Sequence, residues 1–134
     1  MKANIRMIRI GGFLNVLFLL FHLAFYWMLN WKHTLSCLDS NNWAIFYALV
    51  IITDFLFLLF VVVSFSHPEK LMTEINGHRM LFSISAFYVI RIALEFILWG
   101  YQGSSSLVII VMCAAPAICY ALPLIRTRCL IHQQ

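Results

Sequence analysis

A chain of 134 residues that is 63% hydrophobic and only 10% charged lacks the polar shell of a soluble domain, where roughly a quarter of residues are charged. It has room for one domain, and its apolar residues fall in runs able to cross about 30 Å of hydrocarbon at about 1.5 Å per residue. The net charge of +4 does not point to nucleic acid, because the positive residues sit at the ends of those runs.

Lys2, Arg6 and Arg9 open the chain ahead of a first span over residues 10–31. This apolar stretch runs on through aromatics without a small-x-small cleavage site, so a retained helix is expected rather than a signal peptide. A second span covers residues 43–65, preceded by Asp39, Ser40, Asn41 and Asn42, all good N-cap types. Ser66-His67-Pro68-Glu69 reads as a capping box opening a short surface helix over residues 67–75. Asn76-Gly77 then reads as its stop signal. The third span is expected over residues 78–99, followed by an uncharged turn from Gly100, and the fourth over residues 106–125. Short connections make neighbouring spans antiparallel. The fold class is therefore an all-α membrane protein, an antiparallel bundle of four transmembrane helices in the lipid bilayer.

Two signals orient it. Lys2, Arg6, Arg9, Lys70, Arg79, Arg126 and Arg128 fall on one side and Lys32 alone on the other, which places both termini in the cytoplasm by the positive-inside rule. Trp27, Trp31, Trp43 and Trp99, with Tyr47 and Tyr101, gather at the opposite ends of the spans, as an interfacial aromatic belt does.

Polar residues inside the spans form stripes. Asn15, His22, Tyr26 and Asn30 lie within an arc of about 80° on the first helix. Tyr47 and Asp54 share a face of the second. Tyr88, Arg91 and Glu95 fall within about 60° on the third, with Ser85 adjacent. Lipid cannot satisfy such groups, so these stripes are expected to face the bundle interior or a wet cavity. His22, Asp54 and Arg91 lie near mid-span, and antiparallel packing can bring them to one level. Three unpaired charges there would cost roughly 8–10 kcal/mol at about 2.5–3.5 each, so pairing is required. Arg91 and Glu95 are i,i+4 neighbours. Asp54 is then left to His22 or to a proton. With His22 neutral the cluster carries one net negative charge, and desolvation opposes this, so the site is expected to hold a proton at neutral pH.

The fourth helix carries no charge between Leu107 and Ile125. Cys113, Ala117 and Ala121 give it a small-residue face for close packing, within the bundle or against another copy in a homodimer. Pro116 frees the carbonyl of Met112 and is expected to kink it. The four cysteines, Cys37, Cys113, Cys119 and Cys129, include no C-x-x-C pair and read as small hydrophobes rather than as disulfides or zinc ligands. Haem would need two histidines at similar depth on facing helices. His22 has no such partner, and His67, His78 and His132 lie near the cytoplasmic ends, so no cofactor or metal is expected. No HExxH, GxSxG or P-loop motif is present.

Three functions fit these features. One is binding or passage of a small polar or protonatable ligand at His22, Tyr26, Tyr47, Asp54, Tyr88, Arg91 and Glu95. Another is a structural or accessory subunit of a membrane complex whose polar groups fix helix packing. The third is an intramembrane enzyme acting on a lipid-like substrate.

Overall fold

A computed structural model describes residues 1–131, apart from the side chains of Trp99 and of residues 128–131. The side chains of Arg128 and Cys129, and all of His132, thus lie outside the described residues. The elements are α1 (Lys2–Met28), α2 (Trp31–Thr34), α3 (Ser40–Ser66), α4 (Pro68–Thr73), α5 (Ile75–Leu94) and α6 (Ser104–Ile131), with a π-helical turn (Glu95–Trp99) continuing α5. No strand occurs among the described residues. Four of these helices are long and apolar enough to cross a membrane. Their outward surfaces carry Leu20, Phe55, Ile51, Val62, Ile97 and Val111, all exposed, as suits contact with acyl chains. The chain is a small multi-pass membrane protein.

Local chemistry sets the element ends. α1 begins well before residue 10 because nothing in its basic first turns opposes a helix. It stops at Met28, and Asn30 then takes a left-handed conformation (φ 47°) that asparagine tolerates better than most residues. Asp39 caps α3, its carboxylate accepting the Asn42 backbone N–H at 2.9 Å. That bond, with a second from the Asn42 side-chain amide, holds the Asp39 carboxyl below its usual pKa. Gly100 and Gly103 supply the positive φ values of the turn before α6.

Two expected signals work differently. The Ser66–Glu69 capping box does not form, since α4 has His67 at its N-cap and no side-chain cap bond. Asn76-Gly77 is not a stop signal either. The chain breaks at Glu74, which is extended (φ −101°, ψ 145°), and Gly77 lies in the first turn of α5. Its role is close approach: a Cβ there would overlap the Lys70 carbonyl oxygen and the Leu71 Cα. Glycine lets α4 fold back under the bundle and bury Pro68, Leu71 and Met72.

Helix α1 packs between α3 and α6, and α5 packs against α6. Between α3 and α5 the contact is made by rings, with Phe87 edge-on to Phe57 and Phe60 at centroid distances of 5.9 and 5.5 Å. Burial is uneven along the bundle. The buried residues of α1 are Asn4, Ile8, Gly11, Gly12 and Asn15, those of α3 Phe57, Phe60 and Ser64, and those of α5 Gly77, Leu81, Ile84, Ser85 and Tyr88. Most lie toward the end that carries both termini and α4, with Phe57 and Tyr88 near mid-span; Trp31, Glu95 and Ser106 are buried in the distal half. This terminal half is tightly closed, and the distal half is not.

The small-residue face of α6 serves this closure. Cys113 and Ala117 are buried within the bundle, and the Ala117 carbonyl accepts a bond from Ser85 Oγ at 3.1 Å. Cys37, by contrast, is exposed. Trp31 departs from the aromatic belt. Whereas Trp27 is 75% exposed, Trp31 is 8% exposed and packs among Phe25, Phe46 and Tyr47.

Candidate functional site

The polar stripes divide into two groups at different depths. The deeper group closes the terminal half. Asn15 donates through Nδ2 to the Gly11 carbonyl and to the Tyr120 hydroxyl, both at 2.8 Å. Tyr88 donates to Asn15 Oδ1. Ser64 Oγ donates to the Phe60 carbonyl at 2.7 Å, so the 2.7 Å bond between Ser64 and Tyr120 is donated by the tyrosine. Asn15, Ser64, Tyr88 and Tyr120 are all essentially inaccessible, and this bonding accounts for them without water. Gly11 and Gly12 make room for it: a Cβ on Gly11 would press on the Tyr120 ring, and one on Gly12 would press on Ser64 Cβ. This group joins α1, α3, α5 and α6 and acts as helix-to-helix glue.

The second group lies in the distal half. His22 Nδ1 and Asp54 Oδ1 are 3.1 Å apart across the α1–α3 contact. An ionised carboxylate only accepts, so in that state Nδ1 carries a proton; Nε2 is then an acceptor in the neutral imidazole and a donor in the imidazolium. Nε2 makes no hydrogen bond to a described residue. On α5, Arg91 Nη1 donates to Glu95 Oε2 at 3.1 Å. Glu95 is buried at the start of the π-helical turn. Its other oxygen accepts from Ser106 Oγ at 3.1 Å, and that hydroxyl accepts the Gln102 N–H at 3.0 Å. The turn, of a kind often found at functional sites, thereby ties α5 to the start of α6. Both carboxylates have a partner, as burial in hydrocarbon demands.

Beside these pairs is a cavity of about 340 Å³ to which α1, α3, α5 and α6 all contribute, within the usual range for small-molecule sites. Its walls are mainly aromatic: Phe18, Phe21 and Phe25 from α1, Phe57 from α3, Phe87 and Tyr88 from α5. Tyr88 forms the floor, its hydroxyl turned down into the Asn15 group. From Phe18 to Leu29 the cavity follows α1 for about 16 Å at about 1.5 Å per residue. His22 and Arg91 are the ionisable nitrogen groups in its wall. The His22 ring packs on Phe25 and edge-on to Phe57 at 4.9 and 5.2 Å, which fixes its position. Asp54 and Glu95 do not line the cavity. Each holds a cavity-lining partner from behind, as outer-shell carboxylates commonly do.

Of the residues expected at one site, the structure brings His22, Asp54, Tyr88, Arg91 and Glu95 to this cavity or directly behind it. Tyr26 and Tyr47 stand apart. Tyr26 is partly exposed and packs edge-on to Trp27, and Tyr47 packs at a tilt against Trp43 with ring centroids 4.3 Å apart. Tyr47 shares a helix face with Asp54 but lies seven residues, just under two turns, from it toward the distal surface. Sequence reasoning missed Tyr120, Ser64 and Ser106. A single tyrosine or serine in an apolar span gives little signal, although the Gly11-Gly12 pair marks where a bulky partner comes close.

The described residues hold no group of three or more His, Cys, Asp or Glu side chains placed for a metal ion. His78 Nε2 is engaged with the Met72 carbonyl at 2.8 Å. No protein-family model matches the chain, and neither a similar curated protein nor a similar solved structure was found.

Proposed function

We propose that this membrane protein binds a small lipophilic ligand bearing a polar or protonatable group, held in the distal cavity by His22 and Arg91. The observation that carries this reading is the cavity itself. Helix packing alone does not require an aromatic-walled space shared by all four spans, nor an imidazole and a guanidinium in its wall. Apolar side chains there would avoid about 2.5–3.5 kcal/mol of insertion cost for Arg91 alone.

Asp54 and Glu95 position the two nitrogen groups, and the phenylalanine rings supply most of the contact surface. The sealed terminal half supports binding over passage: below Tyr88 the interior is filled by side chains bonded to one another. An asparagine amide in that chain of bonds also makes a poor relay for protons. The distribution of lysine and arginine supports a cytoplasmic terminal half, with the cavity in the half facing away from the cytoplasm.

The test is mass spectrometry of small molecules retained by protein gently purified into lipid nanodiscs, for the wild type and Asp54→Asn. The asparagine is expected to fold normally, because a polar pair of this kind contributes about 0.6 kcal/mol. A ligand retained by the wild type and lost or reduced in Asp54→Asn is the expected result. Identical contents in wild type, variant and empty nanodiscs would contradict the proposal.

A further inference from the structure

The two polar groups of the cavity wall are chemically complementary, and together they specify what the ligand carries. When the His22–Asp54 pair carries no extra proton, with Asp54 ionised and the imidazole neutral, its contact at 3.1 Å puts the ring hydrogen on Nδ1 and leaves Nε2 as an acceptor. The proton the site is expected to hold is then one the ligand can bring. Arg91 has donors only, and Glu95 and Ser106 keep it in place from behind. Among the described residues the rest of the wall offers no comparable polar group except Thr53, whose hydroxyl is bonded to the Leu49 carbonyl at 2.8 Å, and the Cys113 thiol. The Tyr88 hydroxyl is already committed to Asn15. A ligand that meets both nitrogen groups of the proton-free site at one end donates to His22 and accepts from Arg91, while its body lies among phenylalanine rings.

We infer that the ligand is a lipophilic weak acid, an aromatic or long-chain molecule ending in an acidic hydroxyl or carboxyl, with its proton shared with His22 Nε2 and its oxygen held by Arg91. This rests on the binding role proposed above and names the class of molecule bound.

The chemistry balances without any further reactant. If the proton transfers, the ligand O–H bond breaks and an Nε2–H bond forms. The imidazolium is then compensated by Asp54 and the oxyanion by Arg91. Acid binding to the neutral site and conjugate base binding to the protonated site give the same complex. Binding should therefore be strongest at intermediate pH, where ligand and site together hold a single proton, and weaken toward either extreme. The charged or titratable groups around His22 are Asp54 from α3, Tyr88 and Arg91 from α5 with Glu95 behind, and Cys113 from α6.

A hydrophobic amine would set its positive charge beside Arg91. A purely apolar molecule would leave His22 Nε2 desolvated with no hydrogen-bond partner among the described residues, which is unfavourable.

The test compares 4-nitrophenol with its methyl ether, 4-nitroanisole, which has the same ring and no donor. Each is titrated into protein-containing and empty nanodiscs. The phenol should bind at least about tenfold more tightly than the ether, the factor supplied by one net hydrogen bond to a charged or polarised group. Its bound absorption should shift toward that of the phenolate. His22→Leu combined with Asp54→Leu removes imidazole and carboxylate together, leaving no orphaned charge. Once circular dichroism shows it folded, this variant should lose the preference for the phenol and retain binding of the ether. Equal affinity for the two probes in the wild type overturns the weak-acid assignment while leaving an apolar-ligand cavity intact. Failure of both probes to bind overturns the assignment as well, and the retained-ligand measurement then decides separately whether the cavity binds anything.

Discussion

The two halves of this bundle use the same helices to opposite ends. In the terminal half, glycine, alanine and serine bring backbones close. Gly11 and Gly12 admit Tyr120 and Ser64, Gly77 admits the α4 backbone, and Ala117 accepts from Ser85. In the distal half, large rings hold α3 and α5 apart, and the space between four helices stays open above Tyr88. Polar groups follow the same division. Those of the terminal half satisfy one another and present nothing to a ligand. In the distal half Asp54 and Glu95 hold His22 and Arg91, and both of these line a cavity. Small residues close a membrane bundle, and aromatic residues combined with positioned charges open one.

Substitutions can break this contrast, starting with the greatest expected effect. Gly77→Val sets a branched side chain against the backbone of α4, which cannot yield as a side chain can. Unfolding measured in detergent micelles should show a loss of about 3 kcal/mol. Tyr120→Phe removes the hydroxyl that accepts from Asn15 and donates to Ser64, and it should cost about 1–2 kcal/mol by the same assay. Adding bulk in the distal half should behave differently. Ile109→Phe directs a ring toward existing space, and its stability should stay within about 1 kcal/mol of wild type while ligand retention falls. A loss as large as that of Gly77→Val would erase the distinction between the halves. The smallest effect belongs to Asp39→Ala at the exposed start of α3. Because the folded-state pKa of Asp39 is depressed, its stabilising contribution is present above the unfolded-state pKa. It is lost as pH falls through the folded value. A slight lowering of Tm for the variant should therefore be visible at neutral pH and vanish in acid.

Much of the fold was legible because hydrocarbon imposes a length rule. Apolar runs located the four spans to within a few residues at most ends, and polar stripes identified the helix faces that turn inward. Two properties of the site were also accessible from the chain alone, the Arg91–Glu95 pair from its i,i+4 spacing and His22 with Asp54 from shared depth. Neighbour identity was not. The period of a helix gives the direction of a side chain but not which helix stands opposite, so Tyr88 was grouped with Arg91, whereas its hydroxyl belongs to Asn15. Tyr26 and Tyr47 share the angle of the polar stripes but lie nearer the distal surface, beside Trp27 and Trp43. Ser106 reads as the edge of a turn, and its bond to Glu95, at the start of the π-helical turn, joins residues 11 apart in sequence. The first turns of α1 and α5 extend beyond the apolar runs because a helix continues wherever its termini meet water and its residues permit.

A crystal structure of the protein prepared in lipid, without stripping of bound molecules, addresses the central proposal most directly. The expected density is a non-protein molecule above Tyr88, between Phe57 and Phe87, with a polar end touching His22 Nε2 and the Arg91 guanidinium. A distal half collapsed onto itself, or one filled by acyl chains with His22 and Arg91 turned away from them, would contradict it.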